Sequence, residues 1–263
     1  MLRRFWPWLW VSLGVLYFFL PIYATFVFSL KAKKGIFSLL AYDKVFADPR
    51  FGSSFVFSTQ MALLTIFCCM LLLIPTLTVL HLFLRRLRPV VEFVALVPFV
   101  IPSVVLVFGY LRVFARPPLS ITNSTLGTYG LLLAGYMVLS MPYMYRSIDA
   151  GLRAIDLRTL VEASQSLGAG WLTIFVRVIF PNIRVAVLNG SFVTFAIVIG
   201  ELTMARFLLG NAVAFAPYLA EIGRARAYEP AAITVLSLLM TWGIVMILQL
   251  LGRNTSATIA GPR

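Results

Sequence analysis

The fold predicted by the sequence is an all-α integral membrane protein with six transmembrane helices. Three observations predict it. The 263 residues are 61% hydrophobic and only 12% charged, whereas soluble domains run near half apolar and about a quarter charged. Apolar runs of about 20 residues or more, enough for one helical crossing, recur along the chain. A polar stretch at 147–181 separates the fourth run from the fifth and has to sit in water or at the interface, because hydrocarbon solvates neither its charges nor its amides.

The first span is expected at 8–30, with Trp6, Trp8 and Trp10 as interfacial anchors. Arg3 and Arg4 ahead of it resemble the start of a signal peptide, but the run from Phe5 to Leu30 exceeds an apolar signal region of up to about 15 residues, so an uncleaved span is expected. A polar connection, 31–54, leads to a second span at 55–84 that contains Pro75 and ends at Arg85, Arg86 and Arg88. The third, at 90–114, carries Pro98 and Pro102 and is expected to be kinked or broken in its first half. The remaining spans are expected at 126–146, 183–209 and 231–251, all within one transmembrane domain of residues 1–263.

In the polar stretch, Leu157, Leu160, Val161 and Leu167 fall on a helical stripe that leaves Arg158, Thr159, Glu162 and Gln165 on another face. Thr159 and Glu162 have the spacing of a capping box, with Thr159 at the helix start. Gly168 and Gly170 suit the helix end, since glycine takes the left-handed conformation without penalty. Pro181 is expected to stop the following segment.

Glu162-Ala163-Ser164, Gly168, Val178, Phe180 and Pro181 together resemble the EAA signature of ABC-importer permeases: Glu-Ala-Ala, three residues, Gly, nine residues, Ile, one residue, Leu-Pro. Ser164, Val178 and Phe180 depart from it without adding charge, and the spacing is kept. The resemblance implies a permease subunit of a type I, binding-protein-dependent ABC importer in a bacterial inner membrane. In that family this loop forms coupling helices that dock on a cytoplasmic ATPase, so Glu162, Ala163, Ser164, Leu167 and Gly168 would be the coupling residues. The implied partners are an ATPase dimer that binds the ATP, a second permease, identical or paralogous, and an extracytoplasmic substrate-binding protein. Residues 200–210, from Gly200-Glu201 to Phe207-Leu208-Leu209-Gly210, resemble permeases of the polyamine, ferric-iron and aminoethylphosphonate group.

Charge alone does not orient the chain. Its basic residues divide almost evenly between the two sides, and Lys31, Lys33 and Lys34 favour the reverse orientation. The resemblance places the 147–181 loop in the cytoplasm, and six spans then put both termini there. The net charge of +13 is scattered through short loops, which suits lipid headgroups and not nucleic acid.

The residues that bear chemistry are few. No nucleotide-binding loop of the form Gly, four residues, Gly-Lys-Ser/Thr occurs, so no cofactor is expected in this chain. Cys68 and Cys69 sit together in an apolar run, and His81 has no neighbouring co-ligand, which leaves no metal site. Glu201 is the one carboxylate deep in an apolar run. A charge there costs about 2.5 to 3.5 kcal/mol at mid-span, so it either lines the translocation path with Thr194 and Asn189 or sits near the outer end paired with Arg206. Glu92 is expected to pair with Arg88, and Asp149 and Asp156 read as loop or cap residues. Glu221, Arg224, Arg226 and Glu229 form an outer loop that suits either a docking protein or plain solvation. A secondary transporter independent of ATP is the alternative; it would show more intramembrane charge or matched half-helices, of which Pro98 and Pro102 are the only hint.

Overall fold

The computed structural model describes residues 2–33, 36–210 and 213–254, so Lys34 lies outside the described residues. Among these, regular structure is helical, with isolated bridges only at Lys31 to Ser38 and Lys33 to Ile36. In chain order the helices are α1 (Leu2–Ser29), α2 (Leu40–Ala47), α3 (Pro49–Leu82), α4 (Arg88–Leu96), α5 (Ser103–Phe114) and α6 (Thr125–Arg153). There follow α7 (Leu157–Ser166), α8 (Trp171–Thr173), α9 (Phe180–Gly200), α10 (Thr203–Leu209), α11 (Phe215–Ala225) and α12 (Glu229–Asn254).

Four helical runs among the described residues are long and apolar enough to cross a membrane: Trp8–Ser29, Pro49–Leu82, Trp171–Gly200 and Glu229–Ile247. Arg85–Phe99 and Ser103–Phe114 make a fifth only as a broken pair, bent by 99°. The break falls at 100–102, beside Pro98 and Pro102, where the sequence predicts it; Pro102 itself is extended, and the residue before a proline is disfavoured in the helical region. The expected fourth span corresponds to α6, which is long but too polar to qualify. Its position explains this. Tyr136, Ser140, Tyr145 and Ile148 of α6 are buried against protein, so the helix is solvated by its neighbours and not by lipid.

The core is the three-way packing of α3, α6 and α9. Small residues set the α6–α9 approach. A Cβ on Gly190 would stand 2.6 Å from the Met144 sulfur, and one on Gly151 would stand 2.5 Å from the Ala186 Cβ. Between these contacts the Ser147 hydroxyl donates to the Ala186 carbonyl. The helix α1 lies outside the core, mostly uncovered, and meets α12, where the rings of Phe28 and Tyr228 are 5.0 Å apart.

Several expected boundaries are corrected. The connection 31–54 holds the helix α2, and α3 begins ahead of residue 55 because Asp48 caps it, accepting from the Arg50 amide at 3.0 Å with Pro49 in the first turn. The segment after Gly210, expected as an outer loop, is not a plain loop: Phe215, Tyr218 and Ile222 bury one face of α11. Pro181 does not stop its segment. A π-helical turn over Ile174–Ile179 joins α8 to α9, and its wider i to i+5 pairing accommodates a residue with no N–H to give.

Candidate functional site

The polar stretch folds as a short helix held at both ends by its own residues. Asp156 is the N-cap of α7, accepting from the Thr159 amide at 3.3 Å and from the Thr159 hydroxyl at 2.7 Å. These two bonds hold the Asp156 carboxyl below its ordinary range. The expected capping box is therefore shifted: Thr159 sits inside the first turn, and Glu162 instead accepts from Arg158 Nε at 2.7 Å, one helical turn back. At the other end Gly168 takes φ +77°, with its amide bonded to the Gln165 carbonyl and the Ala169 amide to that of Ser164. This pair of bonds is a Schellman cap, and glycine serves it without strain.

Burial divides α7 into two faces. Leu157 and Val161 are buried, and α7 leans on the π-helical turn and on α3. Glu162 is 60% exposed, Ala163 is exposed, and Leu167 is 89% exposed, followed by Trp171 at 42% and Leu172 at 79%. Ser164 is half-buried, its hydroxyl bonded to the Leu160 carbonyl. The five expected coupling residues thus share one small, continuous segment, with an exposed leucine at its tip.

A second group, not expected from the sequence, lies just before α7. Asp149, near the end of α6, accepts from His81 of α3 at 2.7 Å, from Arg88 of α4 at 3.3 Å, and from Arg153 one turn on. Its side chain is only 7% exposed. Burial works to raise the Asp149 carboxyl, and the bonds from His81 and Arg153 with the nearby Arg88 outweigh it, holding it below the usual range. Asp149 is thus neither a loop nor a cap residue, and Arg88 turns to it instead of Glu92. The available signals were a lone histidine and an aspartate closing an apolar helix, in segments that nothing in the sequence links.

The three expected path residues are not gathered at one point. Glu201 lies in the break between α9 and α10, where its carboxylate accepts from the Met204 amide at 2.7 Å. It caps α10, and among the described residues it forms no ion pair with Arg206. Thr194 is fully buried and its hydroxyl has no hydrogen-bond partner among the described residues. Asn189 is exposed, and five residues of helical turn put it on a different face from Thr194.

Residues 81–259 match the family described as binding-protein-dependent transport system inner membrane component. The spermidine/putrescine transport system permease protein PotB of Escherichia coli (strain K12) is 25% identical over 169 residues, 60% of this chain and 60% of that protein. The match thus spans less than two thirds of that relative's length. A probable sulfate transport system permease protein of Helicosporidium sp. subsp. Simulium jonesii is 28% identical over 208 residues, 76% of this chain and 74% of that one. In fold, the chain is similar to the crystal structure of a bacterial ABC transporter involved in the import of the acidic polysaccharide alginate. The TM-score is 0.73 at 14% identity, over 98% of this chain and 97% of the other.

Proposed function

From the premise that the chain belongs to the family of binding-protein-dependent transport system inner membrane components, we propose that it is a permease subunit of an ATP-driven ABC importer. In this reading α7 is the coupling helix, facing the cytoplasm, and both termini share that side. A cytoplasmic ATPase dimer grips α7, a second permease completes the pathway, and a substrate-binding protein delivers solute from outside. The broken pair around residue 101 and the buried helix α6 count as the third and fourth of six spans.

One observation carries the proposal: α7 is a self-capped polar helix that presents Glu162, Ala163 and Leu167 outward between two long core helices. A leucine 89% exposed at its tip is a ready apolar contact for a partner's groove. Because Leu157 and Val161 are buried, motion of α7 is passed to α3 and the π-helical turn. ATP and loaded binding protein must then both favour the outward-facing state, since a ligand shifts an equilibrium only by its differential affinity.

The transported solute is read as a small charged molecule, with a polyamine or related cation first. The relatives include one named for spermidine and putrescine and another for sulfate. Glu201, half-buried in the break after α9, favours a cation. The test is reconstitution of the chain with its ATPase, binding protein and second permease in liposomes, with uptake of labelled spermidine and sulfate followed beside ATP hydrolysis. An Ala163→Cys variant should cross-link to a cysteine in the ATPase groove. Uptake without hydrolysis, or labelling of the introduced thiol only from the outside, overturns the reading.

A further inference from the structure

We infer that the pocket between the end of α3 and the start of α7 binds the phosphate of an anionic phospholipid. This pocket, about 370 Å³, is walled by Leu82, Phe83, Leu84 and Leu87 and topped by Arg85, Arg86 and Arg158. No carboxylate lines it, and of its three guanidinium groups only that of Arg158 is already paired, with Glu162. The volume lies in the lower part of the range for small-ligand sites.

The arginines have donors to spare. Arg85 uses Nε on the His81 carbonyl at 3.1 Å, and Arg158 uses Nε on Glu162 at 2.7 Å. For both, the terminal guanidinium nitrogens carry no bond among the described residues, and Arg86 takes part in no ion pair there. Planar forks of this kind bind phosphate oxygens two at a time. The apolar wall decides between lipid and free phosphate. Phe83 is 63% exposed and Leu84 and Leu87 are about half exposed, and a bare phosphate would leave all three in water. A phospholipid covers them with its acyl chains while its phosphate meets the arginines. The pocket also stands where the long apolar run of α3 ends, the level at which headgroups lie. Through Arg158, a bound phosphate competes with Glu162 for one guanidinium and so touches the α7 segment directly.

The test is lipid binding to the purified chain in detergent, read by native mass spectrometry with phosphatidylglycerol or phosphatidylcholine, each with and without inorganic phosphate. It is independent of the transport role. The wild type should retain phosphatidylglycerol over phosphatidylcholine. R85Q/R86Q should lose that preference by about tenfold, since each basic residue at the surface contributes severalfold. R85K/R86K should keep most of it, and R112Q/R116Q, with the same charge loss elsewhere, should keep all of it. Equal retention of the two lipids, equal loss in R85Q/R86Q and R112Q/R116Q, or displacement of the lipid by millimolar phosphate would each overturn the inference. Should R85Q/R86Q fail to fold, the single variants R85Q and R86Q should each lose part of the preference, and full retention in both would overturn the inference.

Discussion

The two ends of α3 are tied to the rest of the molecule by charge, but in opposite ways. At the Leu82 end one buried carboxylate, Asp149, collects His81, Arg88 and Arg153, joining α3, α4 and α6 just ahead of α7. At the Pro49 end the basic partners and Glu221 are exposed, while Asp48 and Glu229 are largely buried. Arg50, 43% exposed, bridges Asp48 and Glu221 at 3.1 Å each and lies 5.6 Å over the Tyr218 ring, and Lys44 reaches Glu229 at 3.6 Å. The Arg50 bond leads the effects that hold Asp48 below its ordinary range. The difference lies in where the shielding falls: at the Leu82 end Asp149 and His81 are both largely shielded and depend on their shared bonds for solvation, whereas at the Pro49 end the basic groups and Glu221 keep their access to water.

The largest effect should come from breaking the buried tie. Asp149→Ala removes the shared acceptor of three groups, of which His81 is itself largely buried, and should cost about 1–3 kcal/mol, read as a fall in thermal unfolding temperature in detergent; a loss no larger than that of Arg50→Ala would erase the contrast between the two ends. The same tie sets an acid limit. The Asp149 carboxyl is held below its ordinary value of 3.8, so its contribution is complete above that pH and is lost as pH falls through the lower folded-state value. Asp149→Asn should flatten the acid-unfolding curve in this range, and an unchanged curve would assign the acid limit to other groups.

Packing in the core comes next. Gly190→Leu drives a side chain into Met144 and Ser147 and should cost about 1–3 kcal/mol by overpacking. Because Ser147 stands two residues from Asp149 on α6, the effect should not simply add to that of Asp149→Ala in the double variant, and strict additivity would show that core and tie act separately.

At Gly168 nothing lies within 4 Å of an added Cβ, so Gly168→Ala meets strain alone, about 1 kcal/mol at φ +77°. Under the proposed function, a bulky residue here should leave the protein folded and uncouple ATP hydrolysis from uptake. Wild-type uptake together with wild-type stimulated hydrolysis in Gly168→Val would remove α7 from the coupling role. The smallest effect belongs to the open end, where Arg50→Ala should cost about 0.2–1 kcal/mol and less at high salt; a larger loss would mean that Asp48 depends on Arg50 to cap α3.

How legible these features were depended on the range of the forces behind them. The end of α7 at Gly168 and the break beside Pro98 and Pro102 follow from single residues whose backbone limits act locally, and both are found where expected. The start of α7 was displaced because Asp156 and Thr159 both carry capping oxygens, and only folding selects between them. Pro181 misled for a related reason: its rule assumes α-helical pairing, and the π-helical turn ahead of it relaxes the rule.

By itself the sequence determined that the chain belongs to a bilayer, that its regular structure is helical, and that a polar elbow with a glycine end interrupts the apolar runs, because composition and neighbouring side chains decide each of these. Tertiary structure alone decided which helix could be polar, since α6 is shielded by α3 and α9 and not by lipid. It alone brought His81, Arg88 and Arg153 around Asp149. A buried charge selects its partners by position in space, and residues 68 apart in the chain have no local signal through which to announce that they meet.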